Sequence, residues 1–338
     1  MDVCSLPETL LEEIGAIHTL MVNGLTIAQP SLRHKAGGHY AVFAKPGHET
    51  VSCNLFVCER ITRLPESLGQ LTALTTLNLR ECRALTALPE SLGQLAALTT
   101  LSIKWCNALK GLPESLGQLT TLTYLNFKEC RALTVLPESM GQLAALTHLE
   151  LSRCSALTML PESLGQLTAL TTLNLSECSV LTGLPESLGQ LAALTTLNLR
   201  WCNAVTGLPE SLGQLTALTT LHLTYSVRLT GLPESLGQLA SLAALHITGC
   251  RALKRLPITF VNLSDIAFDE LYGLYAMMFP PVHVLRQGSA ASKSFLLTYH
   301  HPLKMLYMIL AARRRRMCCP PAELWVLIRD DFLYDIFV

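Results

Sequence analysis

The residues with the most chemical potential in this sequence are its cysteines. Cys58, Cys82, Cys106, Cys130, Cys154, Cys178, Cys202 and Cys250 are separated by multiples of 24 residues, and Ser226 takes the same slot once. A row of thiols could pair or hold zinc. Stacked on successive strands about 4.8 Å apart, they would fall within the Cα range of a disulfide. Their side chains would nevertheless run parallel, with Cβ atoms too far apart for good geometry. A tetrahedral zinc site needs four converging ligands, which a straight ladder does not supply. The substitution by Ser226 fits a different role. A small polar group pointing into a turn donates a hydrogen bond to carbonyls that the turn leaves open, and a thiol does this weakly.

Other reactive side chains are less organised. His148, His222 and His246 do not form a metal triad by spacing, since His148 lies three units from His222, and they read as solvated or partner-facing. The repeated serines belong to the repeat and are not matched by a His and Asp partner set. The chain is therefore read as a non-enzyme, without metal or cofactor. Near the C-terminus, Arg313, Arg314, Arg315 and Arg316 precede Cys318 and Cys319. That pattern suits a polybasic segment beside acylated cysteines, a two-signal membrane anchor, or a nuclear address. It equally suits arginines paired with Asp330, Asp331 and Asp335, and a plain charged surface is the expectation.

The elements that position these residues follow from the repeat, which should be sought before anything else. Leu-Pro recurs from Leu64 to Leu256 at a constant step of 24, and eight of these nine positions open Pro-Glu-Ser-Leu/Met-Gly-Gln-Leu. Between them the apolar residues alternate, as at Leu77 and Leu79, which predicts a short strand with one buried face. After each strand, a proline with an acidic neighbour, as at Pro89-Glu90, suits the first turn of a helix. Gly93 should keep that helix short and loose. One such unit cannot bury its own leucines, whereas stacked units share a continuous core. The bulkier helical side should curve the stack so that the sheet is concave.

Alternation aims the variable strand residues into that concavity. One column contains Arg80, Lys104, Lys128, Ser152, Ser176, Arg200 and Thr224, and its neighbour Glu81, Trp105, Glu129, Arg153, Glu177, Trp201 and Tyr225. A third runs from Asn78 to His222 and His246, flanked by Tyr124 and His148. Tyr, Trp and Arg dominate binding energy at interfaces. Arg80, Lys104, Trp105, Tyr124, Lys128, His148, Arg200, Trp201 and Tyr225 are therefore the candidate partner-binding residues. The competing reading is lateral pairing of Arg with Glu, worth about 0–1 kcal/mol per pair.

The unit L-x-x-L-x-L-x-x-C-x-x-L-x-x-L-P resembles the leucine-rich repeats of plant disease-resistance proteins and of intracellular Ras-group repeat proteins. The two-residue gap in Cys82-Arg83-Ala84-Leu85 is closest to the resistance-protein variant. Residues 50–263 carry the resemblance. It implies an α/β fold, a leucine-rich-repeat solenoid shaped as a curved horseshoe, with a parallel sheet inside and short helical segments outside. The implied function is a protein-interaction scaffold that holds a protein or peptide, in signalling or defence-like recognition. No G-x-x-x-x-G-K-[ST] phosphate loop is found, so the nucleotide switch of resistance proteins is not part of the reading. The alternative function is a substrate adaptor of a ubiquitin ligase, because Pro321, Glu323, Leu324, Trp325, Ile328, Phe332 and Leu333 resemble the opening helix of an F-box. The bacterial repeat-ligase class has a shorter unit and a catalytic Cys-x-Asp that this tail lacks.

Composition agrees with an aliphatic repeat array: 50% of residues are hydrophobic but only 6% aromatic. Twenty-five basic residues balance twenty-five acidic ones, which disfavours nucleic acid as a partner. Without an apolar signal segment or a membrane-length run, the expected location is intracellular and cytoplasmic, with reduced cysteines and a monomeric chain. Residues 1–49 read as a degenerate first unit (Leu6 to Leu10, then Ile14, Ile17, Leu20, Val22 and Leu25, with Leu25 in the cysteine slot) and an irregular loop over 26–49. The array then spans 50–266. A helical cap over 267–338 should cover the last core layer, with helices over 302–316 and 320–337.

Overall fold

The computed structural model describes residues 62–253 apart from 65, residues 257 and 259, and the strand backbones at 19–22, 25–28, 39–44, 51–56 and 267–268. Four strands precede the regular repeats: β1 (Thr19–Val22), β2 (Leu25–Ala28), β3 (His39–Ala44) and β4 (Val51–Phe56). The repeats supply β5 (Leu74–Arg80), β6 (Thr100–Lys104), β7 (Tyr124–Asn126), β8 (His148–Glu150), β9 (Thr172–Asn174), β10 (Thr196–Asn198), β11 (Thr220–His222) and β12 (Ala244–His246). A short β13 (Ala267–Phe268) closes the series. All lie in one sheet of order β13 through β3 in sequence, then β1 and β2.

From β4 to β13 every pairing is parallel. Successive repeat strands pair 24 residues apart, as in Leu197 with Leu221 and Asn198 with His222, so equivalent side chains form columns. The inward columns are leucine ladders: Leu77, Leu101, Leu125, Leu173, Leu197 and Leu221 are fully buried. Burying each leucine contributes about 1.5–3 kcal/mol. Phe127, at the slot of Leu79 and Ile103, is the largest fully buried side chain among the described residues.

Opposite the sheet each repeat forms a five-residue 3-10 turn, Glu90–Gln94 being typical. Pro89 sits one residue before it in extended conformation, and its carbonyl accepts the Leu92 N–H at 3.1 Å. Gly93 is not simply a loosening residue as its helix propensity suggests. A Cβ there would lie 2.5 Å from the Ser115 carbonyl oxygen of the next repeat. Glycine is what lets adjacent turns stack. The Glu90 carboxylate accepts the Ser115 N–H at 3.3 Å, and the same bond recurs from Glu66 to Glu234. The near-identical Pro-Glu-Ser-Leu-Gly-Gln strings are thus accounted for by stacking, where the sequence alone suggested only duplication.

The N-terminal reading needs correction. Strand β3 and most of β2 lie inside the segment expected to be an irregular loop, because His39-Tyr-Ala-Val-Phe-Ala concentrates aromatic and β-branched strand formers between the glycines and prolines. Leu20 and Val22 do fall in a strand, but β1 pairs antiparallel with β2 and parallel with β3. Leu25, expected in the cysteine slot, starts β2 opposite Val22. Strand β3 runs antiparallel to β4. These strands extend the sheet without continuing the repeat. Cys58 and all the expectations for the tail, including the F-box-like helix, the arginine run and Cys318 and Cys319, lie outside the described residues.

Candidate functional site

The cysteine ladder is resolved into donors and acceptors. The thiols of Cys130, Cys154, Cys178 and Cys202 donate to the carbonyls of Ile103, Phe127, Leu151 and Leu175 at 3.1–3.2 Å. Ser226 donates to Leu199 at 2.9 Å in the same way. Each acceptor lies 27 residues back, in the preceding repeat. Burial pushes the thiols of Cys130 and Cys202 up to about 12, which disfavours the thiolate needed for nucleophilic or metal chemistry. Cys106, Cys130, Cys154, Cys178 and Cys202 form no disulfide, and among the described residues there is no cluster of three His, Cys, Asp or Glu set for a metal.

On the opposite side of the leucines, the candidate binding residues divide into two backbone environments. Arg80, Lys104, Tyr124 and His148 belong to strands, while Lys128 and Arg200 follow two residues after strand ends. The column Glu81, Trp105, Glu129, Arg153, Glu177, Trp201 and Tyr225 is not on the pleat at all. Every one of these residues has φ between 58° and 63°. Alternation alone would turn Trp105 inward, since Lys104 precedes it facing out. The left-handed turn reverses this and projects the column from the strand-end edge of the sheet. Each turn N–H still bonds the next repeat, for example Trp201 to the Thr224 carbonyl at 2.9 Å.

The column is internally paired through its middle. Arg153 donates to Glu129 at 2.8 Å and to Glu177 at 2.9 Å, and Arg131 donates to Glu129 at 3.1 Å. Burial raises the Glu129 pKa, but hydrogen bonds from Arg153, Arg131 and Trp105 outweigh it and hold the carboxyl below its ordinary value. Trp105 is half-buried, with the Arg80 guanidinium carbon 4.6 Å from its ring centre. Lateral pairing therefore occupies Arg153, and Arg80 covers Trp105.

Trp201 and Tyr225 stand apart from that network. Their rings stack at 4.3 Å and 18°, and Trp201 remains 37% exposed. The Tyr225 ring lies over Gly249 so closely that a Cβ there would collide with it. Elsewhere on the sheet, the Tyr124 hydroxyl accepts a bond from Asn126 at 2.8 Å, and the Tyr124 and His148 rings are 6.1 Å apart. His222 stacks on His246 at 4.2 Å. The structure thus brings Trp201 and Tyr225 together and leaves Tyr124 and His148 several repeats away.

Beyond the left-handed turns the chain crosses toward the helical turns. There Arg131, Arg153, Ser155, Glu177, Trp201 and Asn203 line a cleft of about 510 Å³. The Asn203 Oδ1 is buried without a partner. Val135, Met159 and Val180, exposed by 50%, 62% and 40%, lie on these same crossing segments. Sequence reading passed over all three residues. The available signal was that each departs from a small residue at its repeat slot.

A parallel ladder with 3-10 turns and a leucine core defines a leucine-rich-repeat solenoid. A family profile described as a leucine-rich repeat region matches residues 111–227. The leucine-rich repeat domain of the type III effector XopL is similar, with 28% identity, a TM-score of 0.58, and coverage of 66% of this chain and 76% of that one. A leucine-rich repeat protein of Leptospira interrogans is 24% identical over 62% of this chain and 76% of its own, with a TM-score of 0.33. The Arabidopsis receptor kinase HAESA, solved with a peptide hormone and a co-receptor, is 22% identical over 68% of this chain and 47% of its own, with a TM-score of 0.42. No curated protein matches the chain. Among the described residues, no helix is long and apolar enough to cross a membrane.

Proposed function

We propose that this chain is a non-catalytic scaffold that holds a protein or peptide partner on the sheet side of its solenoid. The observation that carries this reading is the Trp201–Tyr225 stack. A left-handed backbone costs a non-glycine residue roughly 1–2 kcal/mol, and Gly249 occupies the same slot with φ 77°. Placing two large aromatics there, one of them well exposed, is unfavourable for folding and suited to presenting an anchor. Arg80, Lys104, Lys128 and Arg200 surround this face with charge, and Trp105, Tyr124 and His148 extend it toward the N-terminal repeats. The repeat's resemblance to resistance proteins and the similarity to an effector domain support a role in signalling or defence-like recognition within the cytoplasm, as a monomer without cofactor or nucleic acid.

The test is affinity capture on the full chain, comparing wild type with Trp201→Ala/Tyr225→Ala. Trp201 is exposed and Tyr225 half-buried outside the leucine core, so the variant should fold, as circular dichroism would verify. Partners retained by wild type should fall by about thirtyfold in affinity on the variant, the hot-spot scale. An unchanged set of partners with unchanged affinity would count against this face.

A further inference from the structure

The residue after each inward cysteine or serine decides how deeply the strand-end edge is cut. That slot holds Arg83, Asn107, Arg131, Asn203, Val227 and Arg251, but Ser155 and Ser179 in two consecutive repeats. Two small side chains between Arg131 and Asn203 leave the cleft of about 510 Å³, inside the roughly 300–1,000 Å³ of small-ligand sites. Its charges cancel. Arg153 bonds Glu129 and Glu177, and Arg131 bonds Glu129, so two cations are matched by two carboxylates. Hydrogen-bonding capacity remains. A guanidinium has five N–H donors, of which those two bonds of Arg153 use two, and the Glu177 side chain is 44% exposed. The Ser155 and Ser179 hydroxyls both donate and accept. The Asn203 Oδ1 is buried without a donor, so turning that amide toward a ligand breaks no bond to the oxygen.

Trp201 is the one apolar residue of the lining, whereas small-ligand clefts are usually lined mainly by apolar side chains. It closes one end. The Trp201 and Tyr225 ring centres are 4.3 Å apart, close to the strand spacing of about 4.8 Å, so the two rings stack along the axis of the array. Tyr225 belongs to the following repeat and covers one face of the indole. The cleft belongs to the preceding repeats and meets the other face. Tyr225 is itself backed by Gly249, so the indole stands as a wall already held in place before any ligand arrives.

We propose that this cleft binds a neutral saccharide, one sugar ring lying against the free face of Trp201 and its hydroxyls bonding Arg153, Glu177, Ser179 and Asn203. A sugar ring offers a C–H face that suits the negative face of an aromatic wall. Around that face runs a rim of hydroxyls that both donate and accept, as the lining requires. It carries no charge, which matches a cleft whose arginines are already paired. An apolar side chain filling the same space would meet a single apolar wall and strip water from polar groups without replacing it, at a cost for each group left unpaired. The assignment goes beyond the scaffold reading: it shares Trp201 with that surface but needs no polypeptide contact.

The test is an array of neutral gluco-, galacto-, manno- and xylo-oligosaccharides, with sialylated and sulfated glycans beside them, probed with the fluorescently labelled full chain. Two variants accompany wild type. Trp201→Ala removes the wall, and Ser155→Arg/Ser179→Arg fills the floor with the residue that the slot already holds at Arg83, Arg131 and Arg251. Circular dichroism verifies that both fold. Wild type should retain neutral oligosaccharides, with an affinity that stays constant as salt is raised. Each variant should bind them about tenfold or more weakly. A preference for the acidic glycans, an affinity that falls with salt, equal binding by the two variants and wild type, or no glycan retained would each overturn the proposal. The serine variant leaves the Trp201–Tyr225 stack in place, which separates this site from the scaffold. A protein captured equally by wild type and that variant, with no glycan retained, would assign the surface to polypeptide and leave the scaffold standing. Glycan retained through Trp201 with no protein captured would support the cleft and remove the scaffold.

Discussion

At the scale of single residues, the slot shared by the cysteines and Ser226 shows how a reactive side chain becomes structural. The carbonyl it meets belongs to the preceding repeat and is buried, so the bond ties two repeats together where the strand turns away. The Phe127 carbonyl also accepts the Cys130 N–H at 3.0 Å, so removing the thiol takes away one of two bonds to it, a loss of about 0.5–1.5 kcal/mol. Cys154→Ala should therefore lower stability by that amount, because its thiol is the donor to the Phe127 carbonyl at 3.2 Å. Cys154→Ser should cost far less, since Ser226 already makes the same bond at 2.9 Å. Urea unfolding midpoints of the two variants decide the matter. Equal stability would mean that the hydrogen bond contributes nothing and that packing alone holds the slot.

At the scale of the repeat element, the glycines fall into two kinds that composition cannot distinguish. Gly141 stands in a helical turn where a Cβ would lie 2.5 Å from the Ser163 carbonyl oxygen, whereas a Cβ at Gly111 would meet nothing within 4 Å. Gly141→Ala should then cost about 1–3 kcal/mol through overpacking. Gly111→Ala should stay within roughly 0.5 kcal/mol of wild type. Thermal unfolding of both variants measures the contrast, and a matched effect would show that the turns are free to spread. The sequence displayed this distinction indirectly. The Gly141 slot is glycine in every regular unit, while the Gly111 slot also takes Ala87, Val135 and Met159. The period, the leucine core and the inward cysteine were legible for the same reason, because a fixed slot repeated eight times reports its environment. The left-handed turn was not legible, since Trp, Tyr, Glu and Arg give no local signal for positive φ. The strands before residue 50 were missed because they lie outside the repeat, where glycines and prolines outweighed a short β pattern.

At the scale of the whole molecule, the array has no single centre. Each repeat contacts its neighbours, through paired strands on one side and stacked turns on the other, so stability is a sum of units and interfaces. A lesion in the middle should be felt first by the adjoining repeats. Leu173 is fully buried in β9, between Leu149 and Leu197, and Leu173→Ala should cost roughly 2–5 kcal/mol. Hydrogen exchange read by mass spectrometry should show the loss of protection concentrated between β8 and β10, with β5 and β6 keeping theirs. The same variant should leave the repeats of β11 and β12 folded. Uniform loss of protection from β5 to β12 would show coupling strong enough to make the array one cooperative unit. A binding surface spread over four repeats would then inherit the stability of the whole solenoid, and no single repeat could be tuned for recognition without affecting the rest.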